Sequence, residues 1–358
     1  MQLADWSLHF YRLPYTREVV WANAVERSGT FALLKLVGES GQAGIAEGTL
    51  KETWSGVSPR SLAASLEDFL MPRLLGLDVL DEHTVCSALA GIPDNRLAKG
   101  MIESACWTLR AAAAGRPLWQ SWGGQPSVEL SWTVTRQTPR LMAQESAEVC
   151  ARHGFRTLKV KGGQGIDTDL RAVAEIRAAV GAGVELYVDA NSAYPRADAP
   201  AYVSALADAG ITIAEDPCPL RPDQAFAALQ AASPIPILVD RGCASAEDAA
   251  LYLERGARAL STKPGRVGLS QTRAIAALAA GHNARTAVGI YAESLLGTLI
   301  NLQQPGAIAA EQTFFLSMTE QVTAAELPIR GGCVELPATA DYASLVDWAA
   351  VERCAIRN

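Results

Sequence analysis

Thr157-Leu158-Lys159-Val160-Lys161 is an apolar strand pattern that carries two lysines, and its reading governs the rest of the chain. Side chains alternate along a strand, so Thr157, Lys159 and Lys161 point to one side. Two ammonium groups on the inner side of a sheet are costly unless anions meet them. Downstream, such charges recur at regular intervals. Asp189, Glu215, Asp240 and Lys263 each close a further apolar stretch, and the successive spacings from Lys161 are 28, 26, 25 and 23 residues. Each interval accommodates one strand and one helix.

The strands predicted on this basis are 129–135, 156–161, 185–189, 211–215, 235–240, 259–263 and 286–289, with a weaker last one at 312–316. Amphipathic segments lie between them, such as 167–180, where Leu170, Val173, Ile176 and Val180 share a helical face. This alternation predicts an α/β fold with parallel strands and crossover helices. A closed barrel fits, and so does a doubly wound sheet. No Gly-x-Gly-x-x-Gly follows the first strand, which counts against dinucleotide binding. In a barrel, all five charged positions would converge on the mouth at the C-terminal strand ends.

Working towards the N-terminus, residues 1–50 read as short strands, with a turn cluster at Gly38-Glu39-Ser40-Gly41. From Ser58 the texture is helical: Leu62, Leu66, Phe69 and Leu70 recur at helical spacing, and a second helix covers about 97–114. Gly115-Arg116-Pro117 and Gly123-Gly124-Gln125-Pro126 mark a boundary. The expected organisation is an α+β domain at 1–125 and a barrel at 126–334.

Composition narrows the function classes. The chain has 358 residues, 49% hydrophobic and 19% charged, with a net charge of −7. That balance suits a globular enzyme and argues against a nucleic-acid surface. No secretory signal or membrane-length apolar run is visible, so a cytoplasmic protein without membrane partners is expected. The seven cysteines are scattered without a Cys-x-x-Cys, as suits reduced thiols. Cys218 and Cys243 lie near the candidate site but have no His nearby in sequence, which favours packing over nucleophilic roles.

Three carboxylates at one mouth repel each other unless a cation joins them. A single strand-end Asp could simply cap the next helix. Three on consecutive strands, flanked by lysines, point to one hard divalent ion, Mg2+ first, held by Asp189, Glu215 and Asp240. No His or Cys fills a ligand position, which argues against zinc. Desolvation, the metal and the neighbouring ammonium would each lower the pKa of Lys161 and suit it to act as a base. Lys263 would face it from several strands around the ring. A substrate held between them could lose a proton to one lysine and gain one from the other, the geometry for proton abstraction α to a carboxylate through an enediolate.

These residues resemble the enolase superfamily, specifically its muconate-lactonizing-enzyme subgroup. Thr157–Lys161 is similar to the subgroup's T-x-K-x-K. Asp189-Ala190-Asn191-Ser192-Ala193-Tyr194, Glu215-Asp216-Pro217 and Asp240 resemble its three metal-ligand motifs. Lys263-Pro264-Gly265-Arg266-Val267-Gly268 resembles the motif of its second lysine, and Glu293 the acidic residue beyond the seventh strand. Ala105-Cys106-Trp107 to Gly123-Gly124 is similar to the family's link from cap to barrel. The resemblance implies a modified (β/α)7β TIM-type barrel with an N-terminal α+β capping domain. It further implies a tail, about 335–358, returning to the cap, and one Mg2+ per subunit. Lys161 and Lys263 are then catalytic, with Lys159, Asn191 and Glu293 auxiliary, in a homo-oligomer acting on a small-molecule carboxylate. The motifs lean towards the N-acylamino-acid racemase/o-succinylbenzoate synthase branch.

Three positions depart from the family pattern. Arg241 stands where a Glu is usual, Leu269 replaces a common glycine, and Thr108 stands where an Asp often follows the Trp. Arg241 could bind a second substrate carboxylate or pair with Glu215 or Asp216. Cap loops would set specificity, with Tyr15, Trp21 and Trp54 either covering an apolar or cationic substrate group or packing the cap itself. The implied activity is a racemase, epimerase or cycloisomerase. The alternatives are a carbon–oxygen lyase on the same scaffold, of o-succinylbenzoate synthase or dehydratase type, and a catalytically silent binding barrel.

Overall fold

Three antiparallel strands open the chain: β1 (Leu3–Val20), β2 (Val25–Gly38) and β3 (Ala43–Leu50). The first two are long, 18 and 14 residues, where short strands were expected. The β1–β2 ladder keeps register from Trp6↔Leu36 to Pro14↔Ser28 and resumes at Val19↔Glu26. Local irregularities therefore bend the hairpin without ending it. This computed structural model describes residues 1–21 and 24–356.

The helical stretch begins with a capping box. Ser58 accepts from the Ser61 amide, Ser61 reciprocates, and Pro59 sits in the first turn of helix Pro59–Ala64. The path then widens into a π turn, Ser65–Leu70, and tightens into a 3-10 turn, Met71–Arg73. Leu62, Leu66 and Leu70 remain buried, but Phe69 is 53% exposed. The wider turn keeps the four-residue spacing inward and carries Phe69 out, contrary to the expectation of one apolar face.

Helix Arg96–Ala114 lies on β2 and β3 and also meets helix Pro264–Gly281. Backbones touch there: a Cβ on Gly100 would lie 2.7 Å from the amide nitrogen of Gly268, which itself has φ 84°. Thr108, where the resemblance leads one to expect an Asp, donates to the carbonyl of Ile45 at 2.8 Å and accepts from its amide at 2.7 Å. Leu269, in place of a glycine, is wholly buried in the core beneath β1 and β2. Thr108 thus fastens helix Arg96–Ala114 to β3 within the N-terminal domain, and Leu269 packs the rest of the molecule against that domain.

From residue 127 the strands are β4 (Ser127–Glu129), β5 (Trp132–Val134), β6 (Thr157–Lys161), β7 (Glu185–Asp189), β8 (Ala214–Glu215), β9 (Ile237–Val239), β10 (Ala259–Thr262), β11 (Arg285–Val288) and β12 (Cys333–Glu335). β5 to β11 form one curled parallel sheet in chain order, and β12 pairs with β4. The predicted closed barrel is not realised as a continuous ladder. Residues 308–310 span the gap between β11 and the link from β4 to β5 by single bridges, Ala287↔Ile308 and Leu130↔Ala310. The predicted last strand at 312–316 is instead a 3-10 turn, Phe314–Ser317. The backbone rungs on this edge of β11 stop at Glu311, whose amide donates to Val288 O at 2.8 Å, and the next residue, Gln312, uses its side-chain amide on the Gly289 carbonyl at 2.8 Å.

The chain's last described residues return along β1, where the Arg12 amide donates to Cys354 O at 3.0 Å and the Ile356 amide to Phe10 O at 2.9 Å. All seven cysteines are free. Among the described residues, no helix is long and apolar enough to cross a membrane.

Candidate active site

Parallel register gathers the first three charged positions into one row. Lys161 pairs laterally with Asp189, and Asp189 with Glu215, across β6, β7 and β8. Register partners on adjacent strands point to the same face, so a lysine and two carboxylates stand side by side. Asp240 follows β9 and Lys263 follows β10. With β7, β8 and β9 between them, the two lysines approach the row from opposite sides.

Each ammonium has a carboxylate. Lys161 Nζ donates to Asp189 Oδ2 at 2.5 Å, and Lys263 Nζ to Asp240 Oδ2 at 2.6 Å. Lys159 lies below, 1% exposed, donating to Glu215 Oε1 at 2.7 Å and Glu311 Oε1 at 2.8 Å, with Asp189 Oδ2 3.1 Å away. This confirms that an inward lysine needs partners. It also brings in Glu311, whose Oε1 accepts from the Tyr187 hydroxyl at 2.9 Å. Burial opposes the Lys159 ammonium, but Asp189, Glu215 and Glu311 outweigh it and raise its pKa well above the usual lysine range.

The carboxylates separate in the same field. Burial would push Asp189 up, but Lys159 and Lys161 hold it well below the usual range. Burial and repulsion from Asp189 push Glu215 well up, beyond what Lys159 offsets. Against burial, Lys263 and Arg266 bring Asp240 down to about 2. Asp216 rises to about 7 through burial and the nearby Asp240 and Asp189. It accepts from the backbone amides of Asp240 at 3.2 Å and Arg241 at 3.0 Å, tying the end of β8 to the end of β9.

Asn191 holds Asp189 from the other side. Its backbone amide donates to Oδ1 at 2.7 Å and its side-chain amide to Oδ2 at 2.9 Å. Arg136 donates to Asn191 Oδ1 at 3.3 Å and to Gly162 O at 2.6 Å. Asn191, Ser192, Asp216 and Ala292 have φ of 50°, 61°, 37° and 62°, conformations that cost about 1–3 kcal/mol each for non-glycine residues. All four lie just beyond strand ends, so the surrounding structure holds this rim in shape. Glu293 is buried and pushed up to about 7 by that burial. It accepts from the Tyr291 amide at 2.8 Å and the Asn301 side chain at 2.9 Å.

The donor chemistry fits a hard divalent ion. Asp189, Glu215 and Asp240 offer carboxylate oxygens only, and the buried Asp240 Oδ1 has no hydrogen-bond partner. Among the described residues, however, no three Asp, Glu, His or Cys side chains already form a cage for a metal. The ammonium groups of Lys159, Lys161 and Lys263 sit on the oxygens for which a cation would compete.

Two model families cover most of the chain. Enolase C-terminal domain-like matches residues 141–340, and Mandelate racemase / muconate lactonizing enzyme, N-terminal domain matches residues 13–123. The chain belongs to the mandelate racemase/muconate lactonizing enzyme family of the enolase superfamily. An N-succinylamino acid racemase of Thermus thermophilus is 30% identical over 94% of this chain and 93% of its own. An o-succinylbenzoate synthase of Geobacillus stearothermophilus is 29% identical over 94% and 88%. The solved dipeptide epimerase of Enterococcus faecalis V583, complexed with Mg and the dipeptide L-Leu-L-Tyr, superposes with a TM-score of 0.88 at 24% identity, covering 96% of this chain and 99% of that one. The family's relatives are enzymes: racemases, epimerases, cycloisomerases and o-succinylbenzoate synthases.

The remaining candidates fall into place around this family member's mouth. Arg241 is exposed, and its guanidinium forms no ion pair among the described residues. Of the two alternatives, pairing of the guanidinium with Glu215 or Asp216 is not seen; it is the Arg241 backbone amide that donates to Asp216, at 3.0 Å. Arg266 takes the cationic role beside Asp240, donating to Asp240 O at 3.1 Å and Cys243 O at 2.6 Å. Burial pushes the Cys218 and Cys243 thiols up, Cys243 to about 12, in keeping with packing. Tyr15, Trp21 and Trp54 gather around a residue the sequence reading passed over, Lys51, whose Nζ lies 4.4 Å from the Trp21 ring centre. Arg136, Arg266 and Asp216 also went unassigned, although the last two stand inside the quoted motifs. The signal for Glu311 was Lys159 itself, a buried cation in need of anions.

Proposed function

We propose that this enzyme is an isomerase (a racemase, epimerase or cycloisomerase) that abstracts a proton α to a carboxylate. In this reading Lys161 and Lys263 carry the protons, and Asp189, Glu215 and Asp240 hold one Mg2+ per subunit. The supporting observation is the row of carboxylates with an ammonium at each side, Lys161 on Asp189 and Lys263 on Asp240. Bound among these carboxylates, a divalent cation supplies positive charge opposite the substrate carboxylate.

Lys161 and Lys263 must let go of their carboxylates to reach a substrate. One of them, as a neutral amine, then takes the α-proton and becomes an ammonium. The other, already an ammonium, delivers a proton to the opposite face and becomes an amine. In a racemase or epimerase the product is the inverted substrate, with atoms and charge balanced. Lys159 cannot share this work, since three carboxylates engage it below the mouth. Its role is to hold Asp189 and Glu215 in place. Asn191 and Arg136 fix the orientation of Asp189.

The test is incubation in deuterated water with Mg2+ and a panel of N-acylamino acids and dipeptides. Deuterium at the α-carbon of both enantiomers, with inversion, is expected. A panel with no α-exchange sinks the racemase and epimerase forms of the reading, and absence of exchange on unsaturated dicarboxylates and their lactones as well sinks the cycloisomerase. The o-succinylbenzoate synthase relative, matching over 94% of this chain, motivates the lyase alternative, in which the same first step ends in loss of a β-hydroxyl. An unsaturated product without inverted substrate would select it.

A further inference from the structure

Lys51 is a buried cation whose counter-charge is partly open to water. It follows β3 and is 2% exposed, and its one carboxylate partner among the described residues, Glu26, is 25% exposed. Nζ also donates to the Tyr15 hydroxyl at 3.3 Å. The rings of Trp21, Trp54 and Tyr15 surround it, with centres 4.4, 5.3 and 5.7 Å from Nζ. Even so, burial lowers the ammonium's pKa despite the presence of Glu26. The two partners are unequal: Glu26 can turn to water at small cost, whereas Lys51 cannot.

This cage borders the mouth on two sides. Trp54 packs on Tyr291 at 5.2 Å between ring centres, and Trp21 packs on Phe314 at 5.2 Å. Tyr291 lies two residues before Glu293 and beside Gly265, where an added Cβ would come within 3.3 Å of the Tyr291 Cβ. Phe314 lies three residues after Glu311. The aromatic residues that could either cover an apolar or cationic substrate group or pack the cap itself therefore already enclose a cation of the chain. A cationic group there would meet like charge, and an anionic group would meet its complement.

We propose that Lys51 is a specificity-determining residue that binds an anionic group, a second carboxylate, at the distal end of the substrate, and that Glu26 is the chain's own competitor for it. This rests on the α-proton reading of the mouth, which orients the substrate with its reacting carboxylate among the strand ends. The distal carboxylate displaces Glu26 into solvent and takes its place beside Nζ. Trp21 Nε1, which donates to Glu26 at 2.8 Å, becomes available to the incoming anion.

The experiment is calorimetric binding to the full chain with Mg2+, comparing N-succinyl-phenylalanine with the same molecule bearing a terminal amide. Wild type should bind the diacid about tenfold more tightly, equivalent to about 1.4 kcal/mol. Lys51→Met should erase the difference. Glu26→Gln, which removes the competitor, should tighten the diacid roughly tenfold and leave the amide nearly unchanged. That gain is one a purely structural ion pair would not give, and it keeps the idea falsifiable if Lys51→Met does not fold. Equal affinity for the two ligands, absence of binding by both included, overturns the proposal, as does a weaker diacid in Glu26→Gln. Deuterium exchange on the same ligands separates the readings. Selective binding without exchange sinks the isomerase and spares Lys51, and exchange without selectivity does the reverse.

Discussion

Replacing Lys159 with methionine removes the ammonium that Asp189, Glu215 and Glu311 share, at 3.1, 2.7 and 2.8 Å. With an effective dielectric constant of about 20, each contact at roughly 3 Å is worth about 5 kcal/mol of gross attraction. The net loss is far smaller, because the substitution also removes the cost of burying the ammonium. The carboxylates have a further escape, protonation. Neutralising an ordinary carboxyl at pH 7 costs about 4 kcal/mol, three pH units at about 1.4 kcal/mol each. The expected loss is therefore about 4 kcal/mol at pH 7 for each carboxylate forced to take a proton, and we expect one.

The sign follows from linkage. In the variant the buried carboxyl has its pKa raised, so across the acid-to-neutral range the unfolded chain binds fewer protons than the folded one, and stability falls as pH rises. In the wild type Glu215 is already raised, so its slope is common to both proteins, whereas Asp189 is depressed. Its contribution is present above the unfolded carboxyl value and lost as pH falls through the folded one. The gap between the two proteins should thus be widest near neutrality and shrink by about 1.4 kcal/mol per pH unit down to about pH 4. Urea unfolding from pH 4 to pH 7, without divalent cations, measures this. A gap below about 1 kcal/mol at pH 7, or one that widens in acid, would refute the view that Lys159 is the counter-charge of the mouth.

Other expectations are simpler to state. Lys161→Ala should lower α-deuterium exchange by about 10²–10⁴-fold for the enantiomer it serves, and Lys263→Ala likewise for the other; undiminished exchange in both counts against the two-lysine mechanism. Gly100→Ala places a Cβ 2.7 Å from the Gly268 backbone and should cost about 1–3 kcal/mol in urea unfolding, since backbone cannot move aside as a side chain can. Glu103 is buried and pushed up to about 7. Its folded value exceeds the unfolded one, so the chain loses stability as pH rises between about 4.5 and 7, by roughly 2–3 kcal/mol. Glu103→Gln should remove that slope, which thermal melts at pH 5 and pH 8 would detect.

The mouth was legible because it is written in local patterns. Strand alternation puts Lys159 and Lys161 on one side, and the βα interval brings Asp189, Glu215, Asp240 and Lys263 to matching heights. The register Lys161↔Asp189 and Asp189↔Glu215 follows from nothing more distant. What escaped are pairings over long separations or backbone choices made by tertiary contact. The π turn that expels Phe69 keeps a helical sequence texture. The end of pairing after Glu311, where the chain tightens into the turn Phe314–Ser317, leaves no mark in an apolar run that reads as a strand. Lys51 is one lysine at a strand end, and only the fold puts Glu26, Trp21 and Trp54 around it.

Glu311 lies between these cases. Its link to Lys159 spans 152 residues, and no spacing rule reaches that far. Burial does. Lys159 is 1% exposed, and an ammonium so far from water is costly unless carboxylates meet it at contact distance. Asp189 and Glu215 are such carboxylates, but both stand in the row of charged strand ends, where other cations compete for their oxygens. Glu311 stands outside that row, is fully buried and lies 2.8 Å from Lys159 Nζ. It is the carboxylate whose engagement with Lys159 no group at the strand ends contests, and a lysine placed inward by strand alternation calls for one wherever in the chain it comes from.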